Sequence, residues 1–270
     1  MFTRSVIRSC MPQVRVERGP RGDSSDDRVA VVAQFSQQHR MSRSLNAMIA
    51  ELLGAGYRVV VSSSCQSPSE LVFDESVRDE ITVLRKPNVG YDFGSWACGL
   101  AWDAGISCAR DVVLVNDSLL GPFSSLDTVL TGFHESKADV YGLTDTTQFG
   151  YHLQSYFIGF KNGVLQEQAL RRFWMSIRHE TSKERIIQRN EIGLSRLLRA
   201  EGFECEAAFP YWRSVDEGEN PTIRGWERLL GLGFPFVKRE IVRSPQVAPR
   251  GDRVASVVRR KFAVDIEEWL

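Results

Sequence analysis

Residues 28–64 begin with RVAVVAQFS (28–36), continue through SLNAMIAELLGAGY (44–57), and end with RVVVSSS (58–64). The first block is a run of β-branched and small apolar residues, the composition of a strand buried on both faces. In the second, Leu45, Met48, Ile49, Leu52 and Leu53 recur at the spacing of one helical face, and Gly54 or Gly56 ends the helix. The third is another β-branched run, closed by small hydroxyl residues. A strand, a helix and a strand of these lengths predict a parallel pair joined by a right-handed crossover.

The alternation continues downstream. ITVLRKP (81–87) and DVVLVNDS (111–118) read as strands, and a helix between them, from Gly94 to about Ala104, carries Trp96, Cys98 and Leu100 toward the core. Four such strands predict an α/β fold with an open, mostly parallel sheet flanked by helices. Beyond Gly121 the order is less regular. ADVYGLTD (138–145) and SYFIGF (155–160) have strand character, and Leu170, Phe173, Trp174 and Ile177 mark an amphipathic helix. A further helix starts near Glu191, faces Leu194, Leu197 and Leu198 inward, and stops at Gly202. Upstream, residues 1–27 read as a disordered leader whose arginines can touch an anionic membrane surface. Residues 244–270 read as a poorly defined tail, which leaves 28–243 as one domain.

Composition excludes several classes. The chain has 270 residues, with 34 Lys+Arg balancing 34 Asp+Glu. It therefore lacks the basic excess of a nucleic-acid binder. Five cysteines without a CxxC pair indicate neither a disulfide framework nor a zinc cage, and reduced thiols suit a cytoplasmic protein. Nothing reaches the roughly 20 apolar residues of a membrane span, and the first residues lack the apolar centre of a secretory signal. There is no GxSxG, GxxxxGK[ST], GxGxxG or HExxH motif. Serine-hydrolase, P-loop, dinucleotide-dehydrogenase and zinc-protease readings thus have no motif behind them.

Ligands of open α/β sheets sit beyond the carboxyl ends of the strands. One such end is KPNVGYDFG (86–94). There Asn88, Gly90, Tyr91, Asp92 and Gly94 combine backbone freedom with a carboxylate that either caps the next helix or bonds a ribose or base, and Tyr91 or Phe93 offers a stacking face. A second is NDS (116–118), where Asn116, Asp117 and Ser118 emerge from an apolar strand. That end either closes in an Asx-turn or places Asp117 on a Mg²⁺ or Mn²⁺ ion shared with phosphate. A third polar cluster holds His152, Gln154 and Ser155, and a fourth puts Asn190 and Glu191 on the first turn of a helix, where a carboxylate also suits general-base work.

Taken in order, NVGYDFGSW, LVNDSLLGPF, YGLTD, HLQSYFIGF, FW, NEIGLS and NPTIRGWERLLGLGFPFVKREIV resemble the rhamnan synthesis protein F family over about residues 28–243. That resemblance implies a GT-A-like glycosyltransferase of bacterial cell-surface polysaccharide synthesis, with a nucleotide-binding half and an acceptor-binding half. It sets NDS where GT-A enzymes carry Asp-x-Asp, and Glu191 where they carry the first acid of Glu-Asp. The implied roles are Glu191 as catalytic base of an inverting transfer and residues 88–94 and 116–118 on a nucleotide-sugar donor. Asp145, His152, Gln154 and Ser155 then fall on the acceptor side. Asp117, with a divalent cation, would neutralise the departing diphosphate; otherwise Arg85, Lys86 or His152 supplies the charge. The expected donor sugar is rhamnose or another deoxyhexose, and the expected acceptor a glycan or lipid-linked chain met at the membrane periphery. The alternative expectation is a non-catalytic module that binds a sugar nucleotide or a partner transferase.

Overall fold

The computed structural model describes residues 4–22, 26–180 and 182–270. Eleven strands are β1 (Arg15–Arg18), β2 (Arg28–Gln34), β3 (Arg58–Ser63), β4 (Ile81–Arg85), β5 (Asp111–Asn116), β6 (Leu119–Leu120), β7 (Val140–Thr146), β8 (His152–Leu153), β9 (Phe157–Lys161), β10 (Cys205–Phe209) and β11 (Val237–Lys238). Nine of them form one sheet of order β1-β4-β3-β2-β5-β9-β7-β10, with β8 hydrogen-bonded to β7, while β6 and β11 form a separate two-stranded ladder.

The α/β architecture matches the expectation from residues 28–64. β4, β3, β2 and β5 are mutually parallel, with Val31 facing Val60 on one side and Leu114 on the other. β9 reverses direction between β5 and β7, and β10 runs parallel to β7. This reversal matters for function. It brings the start of β9 to the same edge as the carboxyl ends of β2 to β5 and β7.

Strand residues alternate between two cores, as a period of two demands. Val113 and Val115 face a core with Ile49 and Leu52 of the Arg43–Gly54 helix. Val112 and Leu114 face another with Trp96, Cys98 and Leu100 of the Tyr91–Trp102 helix. The indole N–H of Trp96 donates to the Val115 carbonyl at 2.9 Å, fixing that helix against β5. Phe93 and Trp174 meet the Trp96 ring edge-on at 5.1 and 6.5 Å.

Four boundaries differ from the sequence reading. The helix expected from Gly94 starts at Tyr91, because Gly90, at φ 84°, turns the chain immediately ahead of it. The helix expected near Glu191 is entered earlier, through Lys183–Ile186 and a π-helical turn at Ile187–Glu191. In the expected disordered leader, the Val6–Cys10 helix buries Val6 and Cys10, and β1 pairs with β4. Two apolar residues four apart are too weak a periodicity to announce a helix, and residues 1–3 and 23–25 lie outside the described residues. In the expected tail, the Val254–Phe262 helix and the Ile266–Trp269 turn close a third core with Phe123, Trp226 and Ile241.

Gly159 lies in the middle of β9, and a Cβ there would come within 2.5 Å of the buried Phe133 ring. Gly54, at a helix end, has nothing within 4 Å of an added Cβ. Gly159→Ala is therefore expected to cost about 1–3 kcal/mol of stability through overpacking, and Gly54→Ala to be neutral or stabilising by up to about 1 kcal/mol. Denaturant unfolding of the two variants measures the contrast.

Candidate active site

Buried polar side chains concentrate at the carboxyl edge of the sheet, including Gln34, Ser63, Asn116, Thr144, Asp145 and Ser155. Buried polar groups cost stability unless hydrogen-bonded, so such a layer marks a surface made for polar contact. Gln34 accepts from the Ser63 hydroxyl at 2.6 Å, joining the ends of β2 and β3.

Next in the sheet, Asn116 ends β5 and braces the turn after it. Its amide nitrogen donates to Asp92 at 2.8 Å, and its amide oxygen accepts from the backbone N–H and hydroxyl of Ser118 at 3.0 and 2.6 Å. NDS therefore does form an Asx-type turn, and the same turn presents Asp117 beside Asp92. Asp92 is not the cap of its helix. It lies in the first turn, behind Gly90 at the cap position. Asp117 accepts from the backbone N–H of Phe35 at 3.2 Å, which ties the ends of β2 and β5.

Asp117 and Glu191 are far from Asp92 in sequence, yet both lie close enough in space for their charges to act on it. Burial above all, then the charges of Asp117 and Glu191, push the Asp92 carboxyl up to about 7, against the Asn116 amide and the Lys86 ammonium. Burial raises Asp117 to about 6, opposed by the Phe35 N–H and the guanidinium groups of Arg239 and Arg243. Clustered carboxylates displaced from their ordinary range are a mark of functional sites.

Glu191 is held from the other side. The Ser155 hydroxyl donates to one carboxylate oxygen at 2.7 Å, and Nε2 of His152 lies 3.6 Å from the other. The His152 ring is 5% exposed and its Nδ1 lies 2.8 Å from the Gly150 carbonyl, so it stands behind Glu191, whose side chain is 24% exposed. The π-helical turn at Ile187–Glu191 delivers Glu191 to this place; such turns are frequent at functional sites.

The remaining residues from the sequence reading are also at this edge. Asp145 accepts from the Tyr211 N–H at 2.7 Å, and burial raises its pKa. Gln154 is buried, its amide committed to Thr144 at 2.6 Å and Asn220 at 3.2 Å. Arg85 is buried against Glu17 at 2.7 Å and the carbonyls of Cys65 and Ser69, and the Lys86 ammonium donates to the Val89 carbonyl at 3.0 Å. Both cations hold loops together.

A cavity of about 590 Å³ opens over Asn88, Gly90, Tyr91, Asp92 and Asp117. Its walls include Phe35, Ser64 and Glu180, which the sequence reading missed; Phe35 follows β2 directly, so the strand-end rule reaches it. Phe35 and Tyr91 are 44% and 54% exposed, two aromatic faces at one opening. Gly90 is required here, since an added Cβ would meet Val6 at 2.7 Å in a left-handed backbone. As to metal, among the described residues no group of three or more His, Cys, Asp or Glu side chains is placed to hold an ion. Asp92 is bonded to Asn116, which leaves Asp117 as the carboxylate here that could share an ion with phosphate oxygens. Among the described residues no helix is long and apolar enough to cross a membrane.

An open, mostly parallel α/β sheet flanked by helices, with a carboxylate-lined, aromatic-flanked cavity beyond its parallel strands, is consistent with a GT-A-like sheet. The chain belongs to the rhamnan synthesis protein F family, whose model matches residues 59–267. It is 28% identical over 192 residues to virulence protein VirA of Vibrio anguillarum, an alignment covering 59% of this chain and 62% of VirA. It is 26% identical over 201 residues to the uncharacterized protein y4gN of Sinorhizobium fredii, covering 72% of this chain and 52% of that protein. The chain thus spans between half and two thirds of the length of these relatives.

The raised pKa of Asp92 has a pH consequence. An acid with a higher pKa in the fold than in the unfolded chain binds its proton preferentially when folded. Its contribution to stability therefore falls as pH rises from about 4 through 7. Asp92→Asn keeps an acceptor for Asn116 and removes this titration. Its melting temperature is expected to exceed that of the wild type near pH 8 and to converge with it near pH 4 in thermal scans. A variant less stable than the wild type near pH 8 would show that the fold needs the ionised carboxylate.

Proposed function

We propose that this protein is a glycosyltransferase acting in polysaccharide synthesis, moving a sugar from a nucleotide-sugar donor to a growing glycan or lipid-linked acceptor. The observation that carries the reading is the convergence of Asp92, Asp117 and Glu191 at the carboxyl edge of an open, mostly parallel sheet, with Glu191 positioned by Ser155 and His152. Membership in the rhamnan synthesis protein F family supports it and favours rhamnose or another deoxyhexose as the sugar.

In this reading the nucleoside enters the cavity over Asn88–Asp92, between the rings of Phe35 and Tyr91, and Asp92 and Asn88 bond its ribose or the donor sugar. The diphosphate lies toward Asp117 and Ser118. A divalent cation, Mg²⁺ or Mn²⁺, carried in with the phosphates would have Asp117 as its protein ligand, supplying charge to the leaving diphosphate. Glu191 takes the proton of the acceptor hydroxyl as the new glycosidic bond forms and the donor's bond to diphosphate breaks, an inverting displacement. His152, behind Glu191, holds the carboxylate in place, and Asp145 and the β8–β9 segment border the acceptor side. The protein works in the cytoplasm, where nucleotide sugars are made, and meets lipid-linked acceptors at the membrane surface.

A second reading rests on the single carboxylate in the Asn116-Asp117-Ser118 turn. In it the chain binds a sugar nucleotide, or a partner transferase, without turnover.

Transfer and hydrolysis assays across a panel of nucleotide sugars, with and without Mg²⁺ or Mn²⁺, separate the two. Glu191→Gln is expected to lower transfer by about 10²–10⁴-fold while leaving donor affinity intact. Transfer unchanged in that variant would remove Glu191 as base; binding without transfer or hydrolysis in the wild type would favour the second reading. Tyr91→Ala and Phe35→Ala are each expected to weaken nucleotide binding by about 1–3 kcal/mol if their rings stack on the base, which calorimetry reads directly.

A further inference from the structure

A second cavity, of about 1140 Å³, shares Phe35 and Asp117 with the first. Arg40, Arg239 and Arg243 line it around Asp117 and Ser118, together with the acids Glu240 and Glu268. Arg239 lies within VKREIV (237–242), the end of a motif the sequence reading quoted without giving it a role, and Arg243 follows directly.

Their position is built by the small ladder. β11 pairs antiparallel with β6, setting Lys238 opposite Leu119, and the backbone N–H of Arg239 donates to the Ser118 carbonyl at 3.2 Å. Gly121 permits this approach, since a Cβ there would lie 2.5 Å from the Pro235 carbonyl oxygen. Arg239 is thereby locked next to the Asn116-Asp117-Ser118 turn.

The charge of these arginines is not spent inside the protein. Among the described residues, no carboxylate lies within ion-pairing distance of Arg239 or Arg243, and Asp117 acts on Arg239 only from farther away. Arg43 on the same wall is different, being paired with Glu268 and stacked on the Trp269 ring at 4.9 Å. Half-buried Arg239 has its pKa lowered by burial and by Arg243, although Asp117 opposes this. Two adjacent guanidinium groups in a cavity, without a close counter-ion, are stabilised by an anion that bridges them, and guanidinium matches phosphate oxygens in pairs.

We infer that Arg239 and Arg243 form a diphosphate-binding subsite next to Asp117, filled by the diphosphate of a nucleotide donor or by that of a lipid-linked acceptor. Both sources rest on the function proposed above; the binding of a diphosphate by the two arginines does not. The subsite neutralises diphosphate charge with fixed cations, in a place where the turn offers a single carboxylate to an ion.

Calorimetry on the full chain tests this with inorganic pyrophosphate, with UDP, GDP and dTDP, and with farnesyl diphosphate, each in EDTA and in Mg²⁺. Binding of pyrophosphate and at least one other probe in EDTA is expected, weakened about tenfold or more by Arg243→Gln and by Arg239→Gln and largely retained in Arg239→Lys. Should Arg239→Gln fail to fold, exposed Arg243 reads the same subsite. Selective loss of nucleotide binding in the variants assigns the donor source, and selective loss of farnesyl diphosphate binding assigns the lipid source. Wild-type binding that appears only with Mg²⁺, or that is unchanged in the arginine variants, overturns the subsite. If Tyr91→Ala weakens nucleotide binding while the arginine variants do not, the subsite fails and the nucleotide reading stands. If pyrophosphate and farnesyl diphosphate bind through the arginines but no nucleotide binds, the nucleotide reading fails and the subsite stands.

Discussion

The hydrogen bond from the Trp96 indole to the Val115 carbonyl joins the helix after β4 to the last turn of β5. Trp96 is fully buried, so loss of that bond would leave both a donor and an acceptor unpaired in an apolar core. With the helix fixed, its first turn can lie only next to the end of β5, and the Asn116 amide meets Asp92 there at 2.8 Å. The acidic cluster is thus a by-product of core packing. Phe93 and Trp174 confine the Trp96 ring from two sides, so the aromatic cluster below the sheet edge sets the geometry above it.

A second constraint is the reversal of β9. A wholly parallel sheet would send the segment before β9 to the far edge. Because β9 runs antiparallel to β5, Ser155 and Tyr156 emerge next to Asn116, whose backbone N–H donates to the Tyr156 carbonyl at 3.2 Å. The two halves of the cleft therefore share one strand boundary, with Asp92 and Asp117 on one side and His152 and Ser155 on the other. Glu191 reaches across it to Ser155.

Much of this was legible from residue patterns. The β-branched runs at 29–33, 59–61 and 112–115 specify buried parallel strands, and polar residues directly after such runs mark the ligand edge. Trp96, Cys98 and Leu100 are buried as their spacing requires. What stayed hidden depends on contacts remote in sequence. Arg85 looks like a free cation at a strand end, yet Glu17 on β1 neutralises it, and nothing local reveals that β1 exists. Arg239 looks like a surface residue of a short helix, and only the pairing of β11 with β6 brings it to Asp117. The Val254–Phe262 helix shows a basic, weakly apolar sequence because it covers a small satellite core and needs only Val254, Val257 and Val258 to do so.

The wide turn at Ile187–Glu191 has a consequence for how the sequence can vary. A π-helical turn holds one residue more than the α-helical turn it replaces, and each α-helical residue rotates the chain by about 100°. The segment before the turn and the helix after it are thus out of phase by one position. A single-residue deletion between 187 and 190 would restore an unbroken α-helix at little local energetic cost, and would rotate Glu191 away from Ser155 and His152. At this point in the chain, length itself is a functional variable, and an insertion or deletion would change the site more than most substitutions.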